Sequence, residues 1–464
     1  MLACRGLQRT TEKWGEAPKI AVRTLKADVL EGPDAGRTTW TSDERLTLGT
    51  AKGNDLVLGD ETVSRFHLLV KRTDDGILVV DQRSTNGTFV GAARLGEATV
   101  TPGTVIAIGR TRVRLAHGQD TDVELHDDAC LGPLFGSSIP MRRVMAWVRR
   151  AAASEASVLL SGESGTGKDV VARALHQFSA RASKPFVTVD CGALAPSLVA
   201  SELFGHERGA FTGADRQHAG ALEQADGGTL FLDEIGELPR ELQSVLLGAL
   251  ERRTFRRVGG KTDVAVDVRV IAATNKNLRS EVNDGGFLLD LYYRLAVLAL
   301  ELPPLRDRRE DIPLLLDHFF GQLGHRGGPA AILPADVREA IAKHDWPGNV
   351  RELRNFAEAT LALGSLARPG SGAHTVVDLE GAPGPSEASA VAPTDAVVGG
   401  DTLPIGDLLD VPFKDARQRA LLAFEERYLA RLLTKSGGNV SQAARDAGLD
   451  RSYLFSLLRR SGLR

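Results

Sequence analysis

The sequence predicts a multidomain chain: an all-β sandwich, an α/β P-loop domain with a helical segment behind it, and a small all-α helix-turn-helix. Three observations predict this. Short β-rich runs separated by turn signals fill the N-terminal part. Apolar strands then alternate with helical stretches, the pattern of a parallel sheet. A basic helical tail follows an acidic segment rich in proline and glycine. At 464 residues the chain exceeds one ordinary core, and 42% apolar with 25% charged residues suits a globular protein.

The sandwich is expected over residues 17–118, from runs such as RLTLGT, HLLVKR, ILVVDQ and TVIAIGR with turns at DDG, STNG and TPG. Residues 119–133 are read as a linker. The α/β alternation (SVLLSG, PFVTVD, GTLFLDE, VRVIAATN) places the second domain at 134–302. Residues 303–367 read as helical, with Pro313, Pro334 and Pro347 marking starts or breaks. Six prolines and seven Asp/Glu against Arg368 alone make 368–412 a linker. From Phe413 to the end, eleven Lys/Arg face five Asp/Glu, so a polyanion-binding module is expected over 413–464.

Cys4, Cys130 and Cys191 form no CxxC pair and suggest no disulfide frame, which favours a reducing compartment. The start has no apolar h-region, and no apolar run approaches the ~20 residues of a membrane span. The expectation is a cytoplasmic protein without a membrane partner.

The strongest motif is Gly162-Glu163-Ser164-Gly165-Thr166-Gly167-Lys168, between a β-run and a helix. Glycines let backbone N–H groups turn toward phosphate oxygens, and the helix N-terminus adds partial positive charge. Lys168 is expected to reach the β- and γ-phosphates of ATP. The usual pattern ends in a Mg²⁺-ligating Ser or Thr, and here Asp169 stands there. Sixty-five residues beyond Lys168, GGTLFLDEI puts Asp233 and Glu234 at the end of a buried strand. Asp233 is suited to hold Mg²⁺ through water, and Glu234 to orient or deprotonate the attacking water.

Gly209-Ala210-Phe211-Thr212-Gly213-Ala214 has neither a strand's alternation nor a helix's period. It reads as a loop carrying an exposed aromatic, a hint of an interaction site. In the tail, helices near 440–447 and 451–460 flank a Gly448-Leu449 turn, with Asp450 as cap. This is the pattern of a helix-turn-helix. Arg451, Ser452 and Tyr453 open its second helix and are candidates for base or phosphate contact, with Arg459 and Arg460 likelier on phosphates.

From Phe135 to Leu366 the chain resembles the AAA+ domain of bacterial activators of sigma-54 RNA polymerase. The resemblance rests on GESGTGKD, SELFGHERGAFTGA, ADGGTLFLDEIGELP, RVGG, VRVIAATN, DLYYRL, LPPLRDRREDIP and WPGNVREL. It implies that the 303–367 segment is the ATPase lid, and that an acidic residue at Asp169 is ordinary. It implies that Asn275 senses the γ-phosphate and that Arg351 is the lid's second sensor. Arg294 would be an arginine finger inserted into a neighbouring subunit, which requires a homo-oligomer from dimer to hexamer ring. It further implies that residues 209–214 contact the sigma factor. Two departures stand out: Leu288 replaces a second arginine, and Asp190 replaces an asparagine coupled to Glu234. They keep open an alternative, a DNA-binding regulator whose ATPase is only an oligomerisation switch.

Residues 20–116 resemble a forkhead-associated (FHA) sandwich, on LGTAKGNDLVLGDETVSRFHLLV and DQRSTNGTFV. The resemblance implies phosphothreonine contacts at Ser64, Arg65, Thr85 and Asn86, hence a phosphothreonine protein or Ser/Thr kinase as partner. His67 is expected to brace the loop. The family's phosphate-gripping arginine is replaced by Thr50. The tail resembles the Fis-type DNA-binding domain of the same activators, which implies upstream enhancer-like DNA sites.

Overall fold

The structure, a computed structural model, describes residues 18–41, 44–73, 75–193, 196–211, 213–325 and 329–363. Thr212, the 368–412 segment, and the 413–464 tail with Arg451, Ser452, Tyr453, Arg459 and Arg460 lie outside the described residues.

Two sheets pack face to face at the N-terminus, one of six strands and one of five. Alternation decides which side chains enter the core. Ile77 and Val79 point inward along one strand, as do Ile106 and Ile108 along another. The sandwich is larger than its expected limits. The strand Thr111–Glu124 pairs with Lys19–Glu31 as far as Lys19 opposite Glu124. The 119–133 segment is therefore no simple linker: a sheet runs through its first residues, and Cys130–Leu131 pairs with Leu134–Phe135. Turn signals do not report where a long strand pair stops. Cys191 is free and buried.

The next domain is built on five parallel strands: β1 (Val158–Ser161), β2 (Phe186–Asp190), β3 (Thr229–Asp233), β4 (Arg269–Thr274) and β5 (Leu298–Glu301). Their spatial order is β2-β3-β4-β1-β5. Both faces are covered, so the strands read as unbroken apolar runs. Leu230 and Leu232 of β3 and Ala272 of β4 enter one core. Phe231 and Ile271 enter the other, with Met145 and Val148 from a flanking helix. Register aligns the strand ends: Asp190 lies opposite Asp233, and Ser161 lies opposite both Thr274 and Glu301.

The helices that matter below are α1 (Lys168–Gln177), α2 (Arg240–Arg252), α3 (Leu278–Asn283), α4 (Leu289–Leu295) and α5 (Asn349–Leu363). The last belongs to a helical lid with its own core around Trp346, Phe320 and Leu353. Among the described residues, no helix is long and apolar enough to cross a membrane.

Candidate active site

The loop from Gly162 to Gly167 leaves β1 and enters α1. Gly165 and Gly167 adopt φ of +77° and +101°, conformations that a β-carbon disfavours. A β-carbon at Gly165 would also meet the Gly348 carbonyl oxygen at 2.3 Å, so the lid presses directly on this loop. Lys168 is buried, and its Nζ donates to the carbonyls of Gly162 (2.9 Å) and Glu163 (3.2 Å). The Thr166 hydroxyl donates to Glu163 O, while Ser164 and Asp169 are exposed.

Asp233 ends β3, and Glu234 follows at φ +48°. A non-glycine residue there carries backbone strain. The turn brings Glu234 Oε1 to 3.9 Å from Lys168 Nζ, and Oε2 accepts from the Asn275 N–H at 3.1 Å. The sensor candidate thus sits beside the acid expected to orient water. Burial holds the Lys168 ammonium below its ordinary pKa, against the pull of Glu234 and Asp233. Burial also raises the Asp233 carboxyl, with Glu234's charge adding to it and Glu234's own N–H opposing it. A half-buried carboxylate at a strand end, facing an ammonium across a glycine cradle, is a donor set that fits a nucleotide phosphate with a hard divalent cation.

Arg351 reaches in from α5 and donates to Ser164 Oγ at 3.0 Å. Three residues without an assigned role complete the lid contact. Arg306 grips Glu163 with two nitrogens (2.9 and 2.7 Å), which holds that carboxyl below its ordinary range. Arg308, buried, donates to Thr166 O at 2.8 Å. Asn349, buried at φ +53°, donates to Glu163 Oε2 and Ser164 O, both at 3.1 Å. All three stand inside motifs quoted above, LPPLRDRREDIP and WPGNVREL. No spacing rule ties those motifs to a loop some 140 to 185 residues earlier in the chain.

Two sequence candidates are not at this edge. Arg294 is exposed and donates to Leu250 O of α2 at 2.8 Å. The hexapeptide is a closed loop, in which Gly209 N–H donates to Ala214 O at 2.8 Å. Gly209 and Gly213 take φ of +81° and +99°. Phe211 is 41% exposed, its ring edge-on to His206 at 4.9 Å. Asp190 does not meet Glu234. Its Oδ1 accepts from the N–H groups of Gly192 and Ala193 in its own loop.

In the sandwich, the four phosphopeptide candidates do gather. Thr85 N–H donates to Ser64 Oγ at 3.0 Å, and Asn86 Nδ2 donates to Thr62 O. Arg65, Thr85 and Asn86 are exposed. His67 is buried and braces the loop as expected: Nδ1 accepts from Ser64 N–H and Nε2 donates to Gly87 O.

A glycine cradle, a buried lysine, an acidic pair and a lid arginine on one sheet edge define a P-loop ATPase of the AAA+ class. Residues 134–301 match the Sigma-54 interaction domain, and 306–368 match the AAA+ ATPase lid domain. The transcriptional regulatory protein ZraR of Escherichia coli is 41% identical over 348 residues, covering 75% of this chain and 73% of ZraR. The chain therefore belongs to the sigma-54 activator family, whose AAA+ domain binds and hydrolyses ATP. NtrX from Brucella abortus, solved in complex with ATP, is 35% identical with a TM-score of 0.46, covering 71% of this chain and 69% of NtrX. Residues 28–119 match the cytoplasmic domain of an inner membrane component of T3SS. A solved FHA domain studied for phosphothreonine-dependent interactions is 27% identical, covering 20% of this chain and 95% of that one, with a TM-score of 0.19.

Proposed function

We propose that this chain is a sigma-54-dependent activator in which ATP hydrolysis by an oligomeric ring, dimeric to hexameric, remodels the closed polymerase–promoter complex. The C-terminal tail holds it at upstream DNA sites, through Arg451, Ser452 and Tyr453 near base edges and Arg459 and Arg460 on phosphates. The FHA-like sandwich reads Ser/Thr phosphorylation through Ser64, Arg65, Thr85 and Asn86.

The chemistry follows from positions. Backbone N–H groups of 162–168 cradle the phosphates, and Lys168 exchanges its two loop carbonyls for phosphate oxygens. Mg²⁺, when bound, neutralises charge on the β- and γ-phosphates, and Asp233 is the residue placed to hold it through water. Glu234 orients the attacking water, and Asn275, whose N–H already holds that carboxylate, reports the γ-phosphate. Arg351 closes the lid side. Arg294, absent from its own subunit's site and exposed at a helix end, serves a neighbour's.

One observation carries the activator reading: Phe211 stands half-exposed on a closed glycine loop outside the nucleotide site. An exposed ring on a turn bounded by two positive-φ glycines is the contact surface this reading requires. Thr212→Ala is expected to keep ATP turnover and abolish promoter opening in a reconstituted sigma-54 transcription assay. Transcription that survives both Thr212→Ala and Phe211→Ala refutes the loop as the contact.

A further inference from the structure

The sandwich and the ATPase domain lie in one compact unit and meet both where Arg45 and Lys71 pair with Glu301 of β5 and where the loops that carry the phosphopeptide candidates meet α3 and α4. Phe66, next to Arg65, is only 1% exposed, yet it is no part of the sandwich core. It packs edge-on against Tyr292 of α4 at 5.2 Å and beneath the Arg279 guanidinium of α3. Its backbone is gripped by Asn283, whose Nδ2 donates to Phe66 O at 2.6 Å and Gln82 O at 2.8 Å. Gln82 Oε1 accepts from Asn277 Nδ2, and Tyr293 OH accepts from Gly53 N–H. Arg83, one residue from Ser84, pairs with Asp284 at 2.8 Å and Glu281 at 3.4 Å.

This contact has the chemistry of a ligand: an aromatic socket beside two carboxylates on an arginine. We propose that α3, with the acidic pair of its Glu281 and the Asp284 that follows it, is an internal competitor for the peptide-binding edge of the sandwich, and that a phosphothreonine peptide displaces it. The proposal rests on the phosphothreonine reading above and adds what the ligand must push away. A phosphate bound at Ser64 and Thr85 takes over the Thr85 N–H that Ser64 Oγ now holds. That loosens the link between the Ser64–Phe66 and Gln82–Asn86 loops. A phosphothreonine carries about −1.5 to −2 charge, more than a carboxylate, so it draws Arg83 away and repels Glu281 and Asp284. Release frees α3 and α4, and α4 carries Arg294.

The test uses the full chain and a degenerate peptide pool with a fixed phosphothreonine, against the same pool with unphosphorylated threonine. Binding is titrated for wild type, for the isosteric pair Glu281→Gln with Asp284→Asn, and for Phe66→Ala. Amide hydrogen exchange is followed across 277–294. The phosphorylated pool is expected to speed exchange there, and the acidic-pair variant to bind it roughly three- to tenfold tighter than wild type. Phe66→Ala moves affinity the same way, and the isosteric pair guards against its misfolding. Equal affinity in all three proteins with unchanged exchange overturns the proposal and leaves the phosphate reading intact. No binding of the phosphorylated pool to any of the three overturns the phosphate reading and the proposal with it.

Discussion

Asn349 is one of four residues whose side chains join the lid to the P-loop, and its removal has a magnitude that can be worked out. Its Oδ1 accepts from Leu305 N–H at 2.7 Å while Nδ2 donates to Glu163 and Ser164. Asn349→Ala leaves the N–H of buried Leu305 without this acceptor. An orphaned buried donor costs about 1–3 kcal/mol. The position is also left-handed, at φ +53°. Alanine there costs about 1–2 kcal/mol, whereas asparagine tolerates the conformation and glycine does not feel it. The alanine variant should therefore lose about 2–5 kcal/mol and the glycine variant about 1–2 kcal/mol less. The chain has several domains and will not unfold in one step, so global denaturation is the wrong assay. Hydrogen exchange of the 349–363 amides reports the local opening free energy, and an ATP titration reports the P-loop. Equal losses for alanine and glycine refute the strain argument. Wild-type protection in both variants refutes the bridge itself.

Two further outcomes follow from the pKa shifts. The Arg306 contact holds Glu163 below its ordinary pKa of 4.5, so the contact stabilises above that value and is lost as pH falls through the lower folded-state one. Arg306→Ala should flatten the acid limb of lid protection below pH 4.5. The effect at neutral pH should be about 0.5–1 kcal/mol, since both partners are partly solvated. An unchanged acid limb would mean the pair is idle. Burial pushes the Cys191 thiol up to about 12, so iodoacetamide at neutral pH should modify it only after unfolding. Rapid alkylation mapped to Cys191 in the native chain would contradict its buried placement.

The ATP site was readable because its parts are local. A glycine loop needs the strand before it and the helix after it, and all three are consecutive in the chain. The acidic pair ends an apolar strand whose burial on both faces is written in four successive residues. The hexapeptide was readable as a loop for the same reason. What could not be read are the joints. Phe66 looks like a surface residue of the sandwich until Tyr292 covers it, and nothing near either residue announces the other. Asn349 and Arg306 meet Glu163 only because the lid folds back across the sheet edge.

Asp190 is the sharpest case, because the departure was visible in the sequence and the contact it makes instead was not. The family resemblance implies that this position couples to Glu234. An amide can do so, since it offers a donor to a carboxylate. Asp190, when ionised, offers only acceptors, and Asp233 and Glu234 already supply two negative charges at these strand ends. Asp190 instead turns to the N–H groups of Gly192 and Ala193, a local contact that short acidic side chains make readily. Glu234 is left to the Asn275 N–H and to Lys168. In this chain Glu234, the carboxylate proposed to orient water, is thus held from the residue after β4 and from the P-loop rather than from β2.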